Sequence, residues 1–126
     1  MAKILLVDDD RQIRYLVTRI LAADKHQIIE AVNGQEALSL MDRQIPDLVL
    51  TDICMPEMDG TEFIISLRKQ WPAMPVIPMS GGQRALNSQF TLASARMAGT
   101  DHLLNKPFEP EELRMAIRAC YLANNW

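Results

Sequence analysis

The sequence predicts an α/β fold built on a parallel sheet, and three observations predict it. Short runs rich in leucine, isoleucine and valine alternate with longer amphipathic stretches, and five such pairs fit the chain. The first run is apolar throughout, without the in-and-out alternation of a half-exposed strand, as expected where helices cover both faces of a sheet. The carboxyl ends of the runs fall on acidic, polar or turn-forming residues, where an open parallel sheet gathers its ligands.

Lys3-Ile4-Leu5-Leu6-Val7 is the first strand, and it stops at Asp8-Asp9-Asp10. A helix follows from about Arg11, because Ile13, Leu16, Val17, Ile20 and Leu21 recur at the spacing of one buried face, leaving Arg14, Thr18 and Arg19 toward solvent. Gln27 to Ala31 reads as a second, half-exposed strand, and Asn33-Gly34 turns into a helix carrying Ala37, Leu38 and Met41. Pro46 marks the exit from that helix, and Asp47 to Thr51 is a third strand that delivers Asp52 at its end. A loop with Pro56 and Asp59-Gly60 leads to a helix built on Phe63, Ile64 and Leu67.

Pro75 to Met79 is the fourth strand, ending at Ser80-Gly81-Gly82, with a helix expected between Gln83 and Ala98. A short strand near His102-Leu103-Leu104 precedes Asn105-Lys106-Pro107-Phe108. The last helix places Leu113, Ala116, Ile117 and Cys120 on one face, and Glu109, Glu111 and Glu112 suit its positive N-terminal end.

With 126 residues the chain is expected to form one domain spanning 1–126, with no room for a separate output domain. Its formal net charge of −3 lacks the basic surplus that phosphate-backbone binding requires, so direct nucleic-acid binding is not expected. No apolar run approaches the roughly 20 residues of a membrane helix, and no signal peptide is legible at the start. Cys54 and Cys120 are far apart, without zinc-ligand spacing, and read as free thiols in a reducing cytoplasm. No repeat or low-complexity linker interrupts the chain.

The strand ends bring together Asp8, Asp9, Asp52, Ser80 and Lys106: carboxylates, one hydroxyl and one ammonium. Crowded carboxylates repel and desolvate one another unless a cation sits among them, and an all-oxygen donor set without nearby histidine or cysteine favours a hard ion such as Mg²⁺. A metal beside Asp52 would screen an incoming phosphoryl group, the ammonium of Lys106 would stabilise charge on its equatorial oxygens, and Asp52 would act as nucleophile. A hydrogen bond from the Ser80 hydroxyl to a phosphoryl oxygen would exist only in the phosphorylated state, and such a bond can drive a two-state switch.

In the segments Ile4-Leu5-Leu6-Val7-Asp8-Asp9-Asp10, Asp52-Ile53-Cys54-Met55-Pro56-Glu57-Met58-Asp59-Gly60, Pro75-Val76-Ile77, Ser80 and Lys106-Pro107-Phe108 the chain resembles the response-regulator receiver family, from Lys3 to about Leu122. The resemblance implies a flavodoxin-like, doubly wound five-stranded sheet of order 2-1-3-4-5 with helices on both faces, and a cis peptide before Pro107. It implies that Asp52 is the phosphoacceptor, that Asp8, Asp9, Asp52 and the main-chain carbonyl of Cys54 hold Mg²⁺, and that Ser80 and Lys106 take the switch and phosphate-contact roles. It further implies a module of two-component phosphorelay signalling and not a turnover enzyme. A histidine kinase or phosphotransfer protein would supply the phosphoryl group, and signalling would run through binding of a downstream protein, phosphorylation-dependent dimerisation being one form of it. Partner choice is expected to lie in the stretch after Ser80 and in the last helix.

An acidic triplet alone is usually a solvated helix start, and Asp10 reads as a helix cap. Gly81-Gly82 lacks the companions of a nucleotide-binding loop, and the eight methionines read as core filler. A phosphatase with an aspartyl nucleophile would want a second aspartate two residues on, where Cys54 stands. A receiver-like interaction module that works without phosphorylation is the alternative; it would be favoured if Asp52 or Lys106 were missing. Three features depart from the receiver pattern: Leu103 where many receivers carry an aromatic residue, a longer stretch between Ser80 and Lys106, and Pro78 inside a strand, where a shortened strand or a bulge is expected.

Overall fold

The computed structural model describes residues 1–53, 60–81 and 103–124. Five parallel strands form one sheet: β1 (Lys3–Val7), β2 (Gln27–Ala31), β3 (Leu48–Asp52), β4 (Val76–Gly81) and β5 (Leu104–Lys106). They lie in the order β2-β1-β3-β4-β5. Four helices are described: α1 (Arg11–Ala23), α2 (Gly34–Met41), α3 (Gly60–Gln70) and α4 (Pro110–Asn124). The helix expected between Gln83 and Ala98 lies outside the described residues, as do Cys54, His102 and Trp126.

The uninterrupted apolar strands are explained by two cores. Ile4, Leu6, Leu48, Leu50, Ile77 and Met79 point to one face, where they meet Val17 and Leu21 of α1 and Leu113, Ile117 and Cys120 of α4. Their neighbours Leu5, Val7, Val49 and Val76 point to the other face, against Ala37 and Met41 of α2 and Phe63, Ile64 and Leu67 of α3. Crossovers between parallel strands are right-handed. Winding outward from β1 to β2 therefore puts α1 on one face, and winding back past β1 to β3 and β4 puts α2 and α3 on the other. The reversal leaves a crevice between the carboxyl ends of β1 and β3.

Helix starts are secured by local hydrogen bonds. Asp10 caps α1, its Oδ1 accepting from the N–H groups of Gln12 (2.9 Å) and Ile13 (3.4 Å). Asn33 Oδ1 accepts from Glu36 N–H (2.8 Å), while Glu36 Oε1 accepts from Val32 N–H (3.1 Å), a reciprocal arrangement that fixes the start of α2. Glu112 Oε1 accepts from Glu109 N–H (3.0 Å) ahead of α4.

Three expectations are corrected. The buried stripe of α1 is rotated: Leu16 is exposed, whereas the Thr18 hydroxyl is buried and Arg14 is drawn inward by polar partners. Leu16 and Thr18 flank Val17 symmetrically on the helical wheel, so spacing alone could not tell which flank faces the sheet. Strand β4 is neither shortened nor bulged at Pro78, which pairs in register with Thr51. Val49 N–H donates to Pro75 O and Ile53 N–H to Met79 O, so the odd-numbered residues of β4 bond β3 and Pro78 turns its missing donor toward β5. The described pairing with β5 begins only at Met79 opposite Leu104, and the proline breaks no ladder bond with β3. Finally, β5 starts at Leu104, so Lys106 ends this strand instead of following it.

At the opposite end of the sheet, His26 Nδ1 accepts the N–H of Ala2 (3.0 Å), which ties the start of β1 to that of β2 and requires a neutral imidazole. Burial, seconded by the charged N-terminus, pushes the pKa of His26 below its ordinary 6.5, with the Asp24 carboxylate acting the other way. Because the unfolded chain binds this proton more readily, the contribution of His26 is fully present above 6.5 and is lost as pH falls toward the lower folded value. The stability gap between the native protein and a His26→Gln variant, read from urea midpoints, is therefore expected to narrow as pH drops below 6.5. Parallel curves would show that the bond to Ala2 is not coupled to folding.

Candidate functional site

The crevice between β1 and β3 is acidic. Asp8 directly follows β1 and is fully buried; Asp52 ends β3 and is 2% exposed; Asp9 is partly exposed at the top of the turn. One carboxylate oxygen from each of the three can be chosen so that all lie within 4.8 Å of one another. At that separation each pair of negative charges repels by about 3 kcal/mol at an effective dielectric constant near 20. The backbone enforces the crowding. Val7 is paired with Thr51 and the Asp8 N–H donates to Ala31 O (3.1 Å), so the end of β1 is locked between both neighbouring strands.

Lys106 supplies a compensating charge. It arrives at the same end of the sheet on β5, beside Gly81 of β4, and its Nζ lies 2.6 Å from Asp8 Oδ2 and 3.7 Å from Asp52 Oδ2. The side chain of Lys106 is only 13% exposed, so the pair with Asp8 is largely withdrawn from water. The Lys106–Pro107 peptide is cis. Ser80, one residue before the end of β4, is buried and pairs in register with Asn105, next to Lys106.

Asp8 is held at every polar group. Its Oδ1 accepts the Asp10 N–H (2.9 Å), its Oδ2 the Lys106 ammonium, and its main-chain carbonyl the Nη1 of Arg14 (2.8 Å). Arg14 in turn pairs through Nε with Glu30 Oε1 of β2 at 3.3 Å. The structure thus brings Asp8, Asp9, Asp52 and Lys106 together, with Ser80 on the adjoining strand end. The expected Cys54 carbonyl lies outside the described residues. Sequence reasoning missed Arg14 and Glu30. An arginine six residues after the first aspartate and a glutamate at the end of the edge strand were the signals, but their meeting depends on the β1–β2 register.

Chemically, the cluster offers hard carboxylate oxygens and, among the described residues, no sulfur or imidazole donor, which fits a magnesium-sized cation better than a softer metal. A buried carboxylate at a strand end, with an ammonium within 4 Å, also suits attack on an electrophilic phosphorus.

Comparison with known proteins gives a consistent picture. A family model described as the response regulator receiver domain matches residues 4–118. The transcriptional regulatory protein CpxR of Escherichia coli is 37% identical over 126 residues, the whole of this chain and 52% of CpxR. The alkaline phosphatase synthesis transcriptional regulatory protein PhoP of Bacillus subtilis is 32% identical over 117 residues, 93% of this chain and 47% of PhoP. The chain thus spans about half the length of these curated relatives. The structure of chemotaxis protein CheY4 of Vibrio cholerae superposes with a TM-score of 0.85 at 30% identity, covering 95% of this chain and 98% of that one. A response regulator receiver domain protein from Clostridium thermocellum gives 0.88 at 26% identity, over 99% and 98% of the two chains.

Proposed function

The chain belongs to the response regulator receiver domain family, and from that membership we propose that it is the phosphoacceptor module of a two-component signalling protein, taking its phosphoryl group on Asp52. Receivers of this family are signalling modules rather than catalysts; they accept the group on an aspartate, from histidine kinases, in a Mg²⁺-dependent reaction. The observation that carries the reading is the acidic crevice: three carboxylates within 4.8 Å, with Lys106 Nζ 3.7 Å from Asp52.

In this reading Asp8, Asp9 and Asp52 hold Mg²⁺, together with the main-chain carbonyl of Cys54. The ion supplies charge neutralisation for the phosphoryl oxygens. An Asp52 carboxylate oxygen attacks phosphorus, the bond from phosphorus to the donor's imidazole nitrogen breaks, and the donor histidine takes up a proton as it leaves. Lys106 moves from the carboxylates to the transferred group's oxygens. Ser80 donates its hydroxyl to one of them, an added bond that favours the signalling conformation. Burial of Asp52 keeps bulk water from the mixed anhydride so formed.

Output runs through binding of a protein partner in the cytoplasm, with phosphorylation-dependent pairing of two copies as one form. Among the described residues no helix is long and apolar enough to cross a membrane. On α4, Met115 and Leu122 stand exposed and form part of the surface we assign to a partner.

Intact mass after incubation with phosphoramidate or acetyl phosphate tests the reading. One phosphoryl adduct is expected with Mg²⁺ and none with EDTA. If no adduct forms and beryllofluoride with Mg²⁺ also fails to bind, the unphosphorylated interaction module is the correct reading.

A further inference from the structure

We infer that Arg14, held by Glu30, is a positioning residue for the metal-binding turn: it sets the pose in which Asp8 presents its carboxylate to Asp9 and Asp52. The inference rests on the reading that these three carboxylates bind Mg²⁺.

Arg14 does not touch the carboxylates. Its Nη1 donates to the main-chain carbonyl of Asp8, and its Nε is paired with Glu30, so one guanidinium spans α1, the β1–α1 turn and β2. The same spot is stitched by the Asp8 N–H on Ala31, the residue after Glu30. Both main-chain polar groups of Asp8 are therefore tied to β2, one directly and one through Arg14. The Arg14 side chain is 15% exposed, and its guanidinium is planar with donors in fixed directions, which suits it to hold two acceptors at once; a lysine ammonium does this poorly.

The clamp is useful because the turn is under load. Three like charges forced within 4.8 Å push the turn away from β3, and Lys106 can neutralise only part of that. Without Arg14 the Asp8 peptide would relax outward, and the ligand geometry would have to be rebuilt each time a cation binds. Groups that orient metal ligands from behind commonly account for 10–100-fold in affinity.

Electrostatics predicts the opposite sign, which makes the inference decidable. Removing a positive charge near a divalent cation should by Coulomb attraction alone tighten binding. Loss of positioning weakens it.

The experiment is calorimetric titration of Mg²⁺ into the metal-free protein, at a temperature where circular dichroism shows each variant fully folded. Arg14→Ala is expected to raise the Mg²⁺ dissociation constant about tenfold, Arg14→Lys to recover part of this, and Glu30→Gln to weaken binding by less than Arg14→Ala. Native-like or tighter binding by Arg14→Ala overturns the inference. Should Arg14→Ala fail to fold, Arg14→Lys decides on the same terms: weaker binding supports positioning, and native affinity overturns it. A native protein that binds no Mg²⁺ overturns the receiver-site reading and this inference with it, whereas native binding with an unaffected Arg14→Ala removes the inference alone.

Discussion

Asp52→Asn is expected to abolish the phosphoryl adduct while leaving the fold intact. The amide is nearly isosteric with the carboxylate, but its nitrogen and oxygen carry no negative charge and do not attack phosphorus at neutral pH. Asp52 sits at the end of the central strand with its main chain fixed by the β3–β4 ladder and by the bond from Ile53 N–H to Met79 O (3.1 Å), so the substitution has no backbone consequence. It also removes one of three crowded negative charges, and the metal-free variant should be at least as stable as the native protein toward urea. The pair of results distinguishes a lost nucleophile from a lost fold. An adduct of undiminished yield on Asp52→Asn would move the phosphoacceptor elsewhere, and mapping it by peptide mass would show where.

Much of the fold was legible because the strands are simple. The sequence bounds of Lys3 to Val7 and Gln27 to Ala31 coincide with the observed strands, since an apolar run ended by three aspartates, and a short run ended by Asn33-Gly34, leave little freedom. The acidic part of the site was legible for a topological reason: in a parallel sheet all carboxyl ends face one way, so Asp8, Asp52 and Lys106 had to arrive together once their strands were recognised. What could not be read depends on tertiary register. Thr18 and Leu16 are equivalent by spacing and are separated only by the tilt of α1 on the sheet. Pro78 looked disruptive because nothing in the sequence says which ladder its nitrogen faces. Spacing alone turns Arg14 toward solvent, because its partners, the Asp8 carbonyl and Glu30, are a main-chain atom and a residue on an edge strand whose register is known only from the fold.

The ammonium of Lys106 now occupies the position of greatest electrostatic consequence, and removing it should have the largest effect on stability. Lys106→Met keeps the length and the apolar stem of the side chain but leaves Asp8, fully buried, without its 2.6 Å partner and Asp52 without its neighbour at 3.7 Å. Breaking a buried ion pair from one side typically costs about 3–5 kcal/mol, because the remaining charge stays buried and uncompensated. A loss of that order, about 3 kcal/mol, is expected from urea unfolding of Lys106→Met in EDTA at neutral pH. Two further measurements attribute it. Adding Asp8→Asn to Lys106→Met should recover most of the loss, since the double variant has no orphaned carboxylate at Asp8; additive losses would mean that the two side chains act independently. Saturating Mg²⁺ should also restore stability to the single variant, because a cation that binds the folded chain alone stabilises it by mass action and supplies the charge that Lys106 no longer brings. If the variant lost less than about 1 kcal/mol in EDTA, the bridge would be behaving as a solvent-screened surface pair, and the account of Asp8 as a carboxylate held by Lys106 until a metal takes its place would be wrong.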